Sequence, residues 1–314
     1  MLSARRFSPG RRGGKGRNSD ANPEQSSARP LVSSTPAVIV TGASTGIGRA
    51  TALFLAHRGF RVFAGVRQEV AAEGLRCESP ANLKVVQLDV TDGASIREAI
   101  TVVCEEFGHS GIAGLVNNAG IGVGGPLEFI ELDAVRRQLD VNVLGVLAVT
   151  KGFLPLLRAG RGRIINIGSG LGRMVLPLFG PYCASKSALA ALTDALRMEL
   201  ESSRLPVCLV EPGVVDTPMH DKARRLAASL EVTLPPEGLE VYGRGIRMLR
   251  RRWESLVGRA MDPQVVASTI HRAMVSRRPK PRYVVGLDAR AVALFEQCLP
   301  DRAKSAMVRW FCGL

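Results

Sequence analysis

The sequence has no uninterrupted apolar run near the 18 residues of a membrane-spanning helix, so we expect no span. Its six cysteines show neither a C-x-x-C pair nor metal-ligand spacing, which predicts free thiols in a reducing compartment and no metal site. Acidic residues are few, 28 against 42 basic ones. Aromatic residues are scarce and do not interleave the basic runs 250–252 and 277–282, so we expect no nucleic-acid partner.

The first 36 residues have almost no large apolar side chains and are rich in Arg, Gly, Ser and Pro. Such a segment cannot bury enough surface to offset its ordering entropy, so residues 1–36 are predicted to be a disordered basic tail. The tail has no apolar core of a secretory signal, which favours a cytoplasmic location. Its Arg- and Ser-rich character leaves a mitochondrial transit peptide as the alternative, although four glycines would interrupt the amphipathic helix of such a peptide.

From residue 37 onward the chain alternates between strand-like and helical patterns. Strand-like runs are 37–41, 60–66, 84–89, 114–117, 162–168, 206–211 and 282–286, and helical patterns are 47–58, 94–107, 131–158, 180–201 and 262–276. This alternation predicts an α/β fold with a doubly wound parallel sheet, in which all strands end at one ligand-binding edge. Residues 218–261 interrupt it as a long insert, which predicts either a functional lid or a disordered loop.

A glycine-rich stretch stands between the first predicted strand and the first predicted helix. It reads Thr41-Gly-Ala-Ser-Thr-Gly-Ile-Gly48 and follows the apolar run 37–40. A nucleotide pyrophosphate needs closely approachable backbone and exposed N–H groups at a helix N-terminus, and this arrangement supplies both. The stretch therefore predicts a dinucleotide site, with a tight turn that binds nothing as the alternative.

Polar residues that can carry chemistry follow later strands. Tyr182 and Lys186 lie one helical turn apart, so the cation can lower the tyrosine pKa and make it an acid/base. Ser169 follows a strand and can hold a substrate oxygen, while Asn142 is an amide within an apolar helix. The alternatives are a packed tyrosine with a solvated lysine, a turn serine and a structural amide.

Together these residues resemble the classical short-chain dehydrogenase/reductases over about residues 37–286. The matching pieces are Thr41-Gly-x-x-x-Gly-Ile-Gly48, Asp89-Val90, Asn117-Asn-Ala-Gly120, Asn142, Ser169, Tyr182-x-x-x-Lys186, Pro212-Gly213 and Thr217. The resemblance implies a single extended Rossmann domain over residues 37–287. Residues 218–261 then cover the substrate, as in steroid and retinol dehydrogenases, and residues 288–314 form a C-terminal helical extension.

The resemblance also implies a role for each motif. The catalytic residues are Asn142, which positions a relay water, Ser169, which holds the substrate oxygen, Tyr182, the acid/base, and Lys186, which lowers the pKa of Tyr182 and binds the nicotinamide ribose. The implied cofactor contacts are Gly42, Ser44, Gly46, Ile47, Gly48, Asp89, Val90, Asn118, Ala119, Gly120, Tyr182, Lys186, Pro212, Gly213, Val215 and Thr217.

The implied activity is an NAD(P)-dependent hydride transfer to or from a secondary alcohol, ketone or aldehyde. The apolar residues of the insert favour a lipophilic substrate of the steroid, retinoid or fatty type. The alternative is a non-catalytic dinucleotide sensor, but such a protein is expected to lack one of the four catalytic residues. The resemblance favours a homodimer or homotetramer built on helices 131–158 and 180–201. Peripheral membrane contact through the basic, aromatic C-terminus is less favoured than packing of that segment on protein.

The residue after the second predicted strand bears on the choice of cofactor. NAD-specific sites place a carboxylate there, but this strand runs into Arg67 and no carboxylate occurs before Glu69. A guanidinium at this position can bind a 2′-phosphate, so we expect NADP as the preferred cofactor and NAD as the alternative. The arginine can also be a solvated surface residue, and Thr45 stands where many NADP-dependent relatives carry a second basic residue.

Overall fold

The computed structural model describes residues 35–313 apart from Glu69, Ala71 and His109, so the predicted tail up to residue 34 lies outside the described residues. The strands are β1 Ala37–Val40, β2 Arg61–Val66, β3 Leu83–Gln87, β4 Gly114–Asn117, β5 Arg163–Ile167, β6 Val207–Pro212 and β7 Arg282–Val285. They form one sheet in the order β3-β2-β1-β4-β5-β6-β7 with parallel pairing throughout. This order confirms the predicted doubly wound parallel sheet.

Helices connect the strands and extend the chain beyond them. They are α1 Gly46–His57, α2 Glu73–Glu78, α3 Gly93–Phe107, α4 Leu132–Leu139, α5 Gly145–Ala159, α6 Gly180–Glu199, α7 Pro218–Thr233, α8 Pro236–Val257, α9 Pro263–Val275, α10 Leu287–Cys298 and α11 Asp301–Cys312. A π-helical segment, Asp140–Leu144, joins α4 to α5, and a short 3-10 turn, Gly170–Gly172, follows β5.

The inner strands are buried on both faces because alternate side chains enter two separate cores. Val38 and Val40 of β1 pack into a core completed by α1 and α9, while Ile39 packs into a second core completed by α3 and α5. This double burial explains why the strands are short continuous apolar runs and not alternating ones. It also leaves the two ends of the sheet as the sites where polar chemistry can be placed.

The predicted helix 131–158 forms, but it widens into a π-helix over Asp140–Leu144. From Leu132 to Ala159 it is long and apolar enough, by length and composition alone, to cross a membrane. Polar residues interrupt its apolar pattern, so it contains no uninterrupted apolar run of that length. Phe153 and Leu157 are fully buried in the core beneath the sheet, so the helix packs as a core element of this fold.

Residues 218–261 have more regular structure than the sequence predicts. The insert folds into α7 and α8, and each helix has a proline in its first turn, where a missing N–H costs nothing. The C-terminal helices α10 and α11 follow, and Val308 and Cys312 of α11 pack against Leu249 of α8. The last helix, α11, is therefore packed against the insert, whereas α10 packs against β7 and the 3-10 turn.

Candidate active site

The glycine-rich loop turns sharply between β1 and α1. Gly42 has a φ of +63°, and a Cβ atom there would lie 2.7 Å from the Cα of Ala119. A Cβ atom on Gly48 would lie 2.2 Å from the carbonyl oxygen of Gly42. The N-terminus of α1 has no side-chain cap and no acidic residue in its first turn, so its N–H groups and dipole suit an anionic phosphate. Of the predicted contacts, Ser44 is half-buried in the turn, whereas Ile47 packs against the core.

Hydrogen bonds from the end of β4 hold this loop in place. The Thr41 hydroxyl accepts from the backbone N–H groups of Asn118 and Ala119, each at 3.0 Å. The Asn118 amide donates to the carbonyl oxygens of Thr41 and Gly42, also at 3.0 Å. The amide of Asn118 therefore braces the backbone of the loop, a contact that the sequence does not predict. Its implied contact with the adenosine ribose stays a prediction.

The ends of β2 and β3 border the loop on its outer side. The N–H of Ala43 donates to the carbonyl of Gly65 at 2.9 Å, which ties the glycine loop to the end of β2. Arg67 follows immediately and is exposed, and it forms no ion pair with any residue that the structure describes. The Asp89 carboxylate accepts from the N–H and hydroxyl of Thr91, and Val90 is buried. One exposed guanidinium therefore flanks the predicted adenosine site.

Ser169, Tyr182 and Lys186 meet where β5 ends beside the start of α6. Ser169 is the N-cap of the 3-10 turn, and its side chain hydrogen-bonds Tyr182. The Lys186 ammonium donates to the carbonyl of Ile167 at 2.8 Å and lies 5.8 Å from the centre of the Tyr182 ring. The structure thus brings together the three residues that sequence motifs separate by up to 17 positions.

Burial controls the protonation of this group. Desolvation raises the pKa of Tyr182 to about 12, and the hydrogen bond from Ser169 opposes the rise. Desolvation also lowers the pKa of Lys186 to about 8, because the charged form is the one that burial disfavours. The sequence predicts that Lys186 lowers the pKa of Tyr182, but the net shift of the tyrosine pKa is upward. Near pH 7 the site therefore holds a neutral phenol beside an ammonium, which suits Tyr182 to donate a proton.

Asn142 lies on the π-helical segment with its amide fully buried. Its oxygen accepts from the N–H of Ile121 at 2.8 Å, and its nitrogen donates to the carbonyl of Ile121 at 2.9 Å and the hydroxyl of Ser185 at 3.0 Å. A Cβ atom on Gly120 would lie 3.8 Å from the Lys186 ammonium. The amide thus links the β4 end to α6. Its implied contact with a relay water stays a prediction.

The segment after β6 forms another side of the site. The N–H of Val214 donates to the Asp288 carboxylate at 2.6 Å, and a Cβ atom on Gly213 would lie 2.1 Å from both carboxylate oxygens. Val215 pairs with Met261, and Thr217, the residue before α7, approaches the glycine loop at Gly46. Asp288 lies in the first turn of α10, and the sequence does not predict its contact because no motif marks an acidic residue 74 positions away from the loop that it supports.

A narrow, largely apolar cleft of about 50 Å³, partly open to solvent, lies between the insert and the loops after β4 and β5. Its walls are Gly124, Gly125, Leu178, Phe179, Ala223, Arg224, Leu226, Ala227, Leu230, Ile246, Leu249, Arg250, Trp253 and Glu254. Leu178 has a left-handed φ of +67°, and its carbonyl accepts from the N–H of Gly125 at 2.7 Å. A Cβ atom on Gly122 would lie 3.9 Å from the Tyr182 ring, so the loop that lines the cleft also reaches the tyrosine.

Comparison with known proteins gives concordant results. The family model described as short chain dehydrogenase matches residues 36–227. Retinol dehydrogenase 7 of Rattus norvegicus is 39% identical over 87% of this chain and 87% of its own length. Retinol dehydrogenase 5 of Mus musculus is 35% identical over 89% of this chain and 90% of its own length.

Solved structures agree with these sequence relatives. A short-chain dehydrogenase from Streptomyces avermitilis has a TM-score of 0.70 at 26% identity and covers 88% of this chain and 96% of its own. A Burkholderia cenocepacia short chain dehydrogenase in complex with NADP has a TM-score of 0.66 at 26% identity, with coverages of 87% and 97%.

The contact between Gly213 and Asp288 predicts a specific loss of stability. Replacing Gly213 by alanine displaces the carboxylate and frees the N–H of Val214, so we expect a loss of about 1–3 kcal/mol in the free energy of unfolding. The control is Gly74→Ala, because nothing lies within 4 Å of a Cβ atom at that helical position. Urea unfolding of both variants tests this, and equal midpoints for the two variants would contradict the contact.

Proposed function

This chain belongs to the short-chain dehydrogenase family, and from that membership we propose an NAD(P)-dependent oxidoreductase that interconverts a lipophilic alcohol and its ketone or aldehyde. The observation that carries the proposal is the meeting of Ser169, Tyr182 and Lys186 at the sheet edge that holds the glycine loop. The loop that lines the apolar cleft also passes beside this tyrosine. A bound nicotinamide supplies or accepts the hydride there.

The site residues hold the substrate oxygen, transfer the proton and bind the cofactor. Ser169 holds the carbonyl oxygen, and the neutral phenol of Tyr182 donates the proton that converts this oxygen to a hydroxyl. The ammonium of Lys186 stabilises the phenolate that remains, and it binds the ribose beside the nicotinamide. The loop from Pro212 to Thr217 seats the nicotinamide ring, and Asp288 keeps that loop in place. In the oxidative direction the same proton returns to Tyr182.

The cleft supports a lipophilic substrate. Each methylene that leaves water gains about 0.8 kcal/mol, so long apolar alcohols bind here far better than short ones. The insert supplies Leu226, Leu230, Leu249 and Trp253 to the walls, whereas Met219 and Val241 are exposed. The relatives' name, retinol dehydrogenase, agrees with a substrate of the retinoid, steroid or fatty type.

Two further properties belong to this proposal. Exposed Leu132, Leu144 and Met198 on the helices around 131–158 and 180–201 support a homodimer or homotetramer built on that face.

The location that we propose for the protein is the cytoplasm, with the mitochondrion as the alternative. At the C-terminus Trp310 is exposed, but Val308 and Cys312 pack on the protein, which favours protein packing over a membrane contact.

Replacing Tyr182 by phenylalanine tests the proposed chemistry. The ring keeps its packing and loses only the proton donor, so we expect kcat to fall by about 100-fold or more. Cofactor binding, measured by fluorescence titration, should stay nearly unchanged. The control is Tyr242→Phe, since Tyr242 hydrogen-bonds Glu128 on the surface. Turnover within about threefold of wild type would remove Tyr182 from the mechanism.

The two pKa shifts predict the pH profile of the reduction. As the pH rises through about 8, Lys186 loses its charge while Tyr182 keeps its proton up to about 12. We expect kcat/KM for reduction to fall above about pH 8, because kcat/KM follows ionisations of the free enzyme. The variant Lys186→Arg is slower but keeps its charge, so its profile should be flat there. If kcat/KM of that variant still falls above about pH 8 as in the wild type, Lys186 is not the titrating group.

The expected preference for NADP over NAD depends on Arg67. A hydrogen bond to a charged group is worth about 1.5–3 kcal/mol, so Arg67→Ala should lower kcat/KM for NADP(H) by about 10- to 150-fold. Activity with NAD(H) should barely change. Arg251, exposed on α8, provides the matched alanine control. An equal loss with both cofactors, or a wild-type preference for NAD(H), would show that Arg67 does not bind the 2′-phosphate.

A further inference from the structure

A cluster of three aromatic rings joins the cleft to the loop after β6. The Trp253 ring on α8 stacks on Phe179, with ring centres 5.5 Å apart and an interplanar angle of 25°. The Trp253 ring also packs against His220 of α7, with ring centres 5.5 Å apart and an interplanar angle of 58°. Trp253 and Phe179 are part of the cleft wall. The cluster therefore places the indole of Trp253 in the cleft wall and the imidazole of His220 next to the indole.

Both of these ring nitrogens lack a hydrogen-bond partner. The indole nitrogen Nε1 of Trp253 and Nδ1 of His220 are buried, and neither bonds to any residue that the structure describes. The other nitrogen of His220, Nε2, bonds to the backbone carbonyl of Val215. Buried polar groups are almost always paired, so two unpaired nitrogens on adjacent rings call for a ligand.

The bond to Val215 determines what that ligand must be. A carbonyl oxygen only accepts, so Nε2 of the neutral imidazole carries the proton and Nδ1 presents a lone pair. The indole N–H of Trp253 only donates. The adjacent rings thus present one donor and one acceptor. A hydroxyl group satisfies both, because its oxygen accepts from the indole while its proton goes to the imidazole; a ketone oxygen satisfies only the donor.

We propose that Trp253 and His220 bind a second hydroxyl group of the substrate, distant from the carbon that is oxidised or reduced. The substrate is then a lipophile with oxygen functions at two separate positions. The inference rests on the proposed function, because Tyr182 marks the reacting end. His220 follows Thr217 by one turn of α7, so the same side chain also joins this subsite to the loop that seats the nicotinamide.

Three matched steroid ketones test the proposal in wild-type protein. They share one reacting ketone and carry a hydroxyl, a ketone or only hydrogen at the opposite end of the molecule. We expect kcat/KM to be about 10-fold or more higher for the hydroxyl compound than for the hydrogen compound, with the diketone between them. Equal values for all three would overturn the subsite while leaving the proposed oxidoreductase standing.

The variant Trp253→Phe separates hydrogen bonding from packing. It keeps an aromatic ring on Phe179 and removes the donor, so the preference for the hydroxyl compound should fall by about five-fold or more. The hydrogen compound cannot form this hydrogen bond, so its kcat/KM measures the loss of wall packing, and the ratio of the two kcat/KM values isolates the hydrogen bond. An equal loss for all three compounds would show that Trp253 only packs the wall, or that water occupies the subsite.

Binding without turnover gives a separate measurement. Only two tryptophans occur in the chain, so Trp310→Phe leaves Trp253 as the single fluorescent indole. Titration with the same three steroids should show tighter binding of the hydroxyl compound and a change in Trp253 emission. Absence of turnover with this preference intact would reject the proposed chemistry and keep the subsite. Equal binding of the three, or no binding, would reject the subsite.

Discussion

The hydrogen bonds at the end of β4 hold the two halves of the site together. Asn118 and Thr41 fix the glycine loop, while the backbone of Ile121, three residues later, pairs with the buried amide of Asn142. Asn142 in turn donates to Ser185 on the helix that carries the tyrosine and the lysine. One short segment therefore sets the distance between the cofactor loop and the proton donor. A polar segment is tolerated there because almost all of its amide groups are paired inside the protein.

Desolvation is the second constraint, and it accounts for the state of the catalytic group. Packing the phenol and the ammonium into the fold disfavours both charged forms, so the tyrosine holds its proton and the lysine holds its proton less firmly. The same burial excludes water from the place where charge develops during the reaction, which strengthens any interaction with that charge. The phenol of Tyr182 is thus a proton donor in the resting protein. Its phenolate form becomes favourable only when the substrate oxygen takes the proton.

Local patterns were sufficient to predict most of the sheet and the motif residues. The run 37–40, the glycines at 42, 46 and 48 and the Tyr182–Lys186 spacing each depend on neighbours in sequence, so periodicity and turn chemistry reveal them. Contacts between distant segments were not predictable in this way. Asp288 supports the loop at Gly213, and the unpaired ring nitrogens of His220 and Trp253 come together only through the packing of α7 on α8. The sequence also does not predict the π-helical turn at Asn142, because a single wide turn within a long apolar helix has no residue pattern of its own.

Hydride transfer to a lipophilic carbonyl compound is the activity on which the proposed function depends, and isotope transfer tests it most directly. Purified full-length protein is incubated with NADPH deuterated at the reactive carbon of the nicotinamide and with a retinoid aldehyde or steroid ketone. The product alcohol is then analysed by mass spectrometry. We predict one deuterium on the new carbinol carbon, with the hydroxyl proton derived from solvent. Unlabelled substrate recovered from protein that has bound the cofactor would contradict the account and favour a sensor.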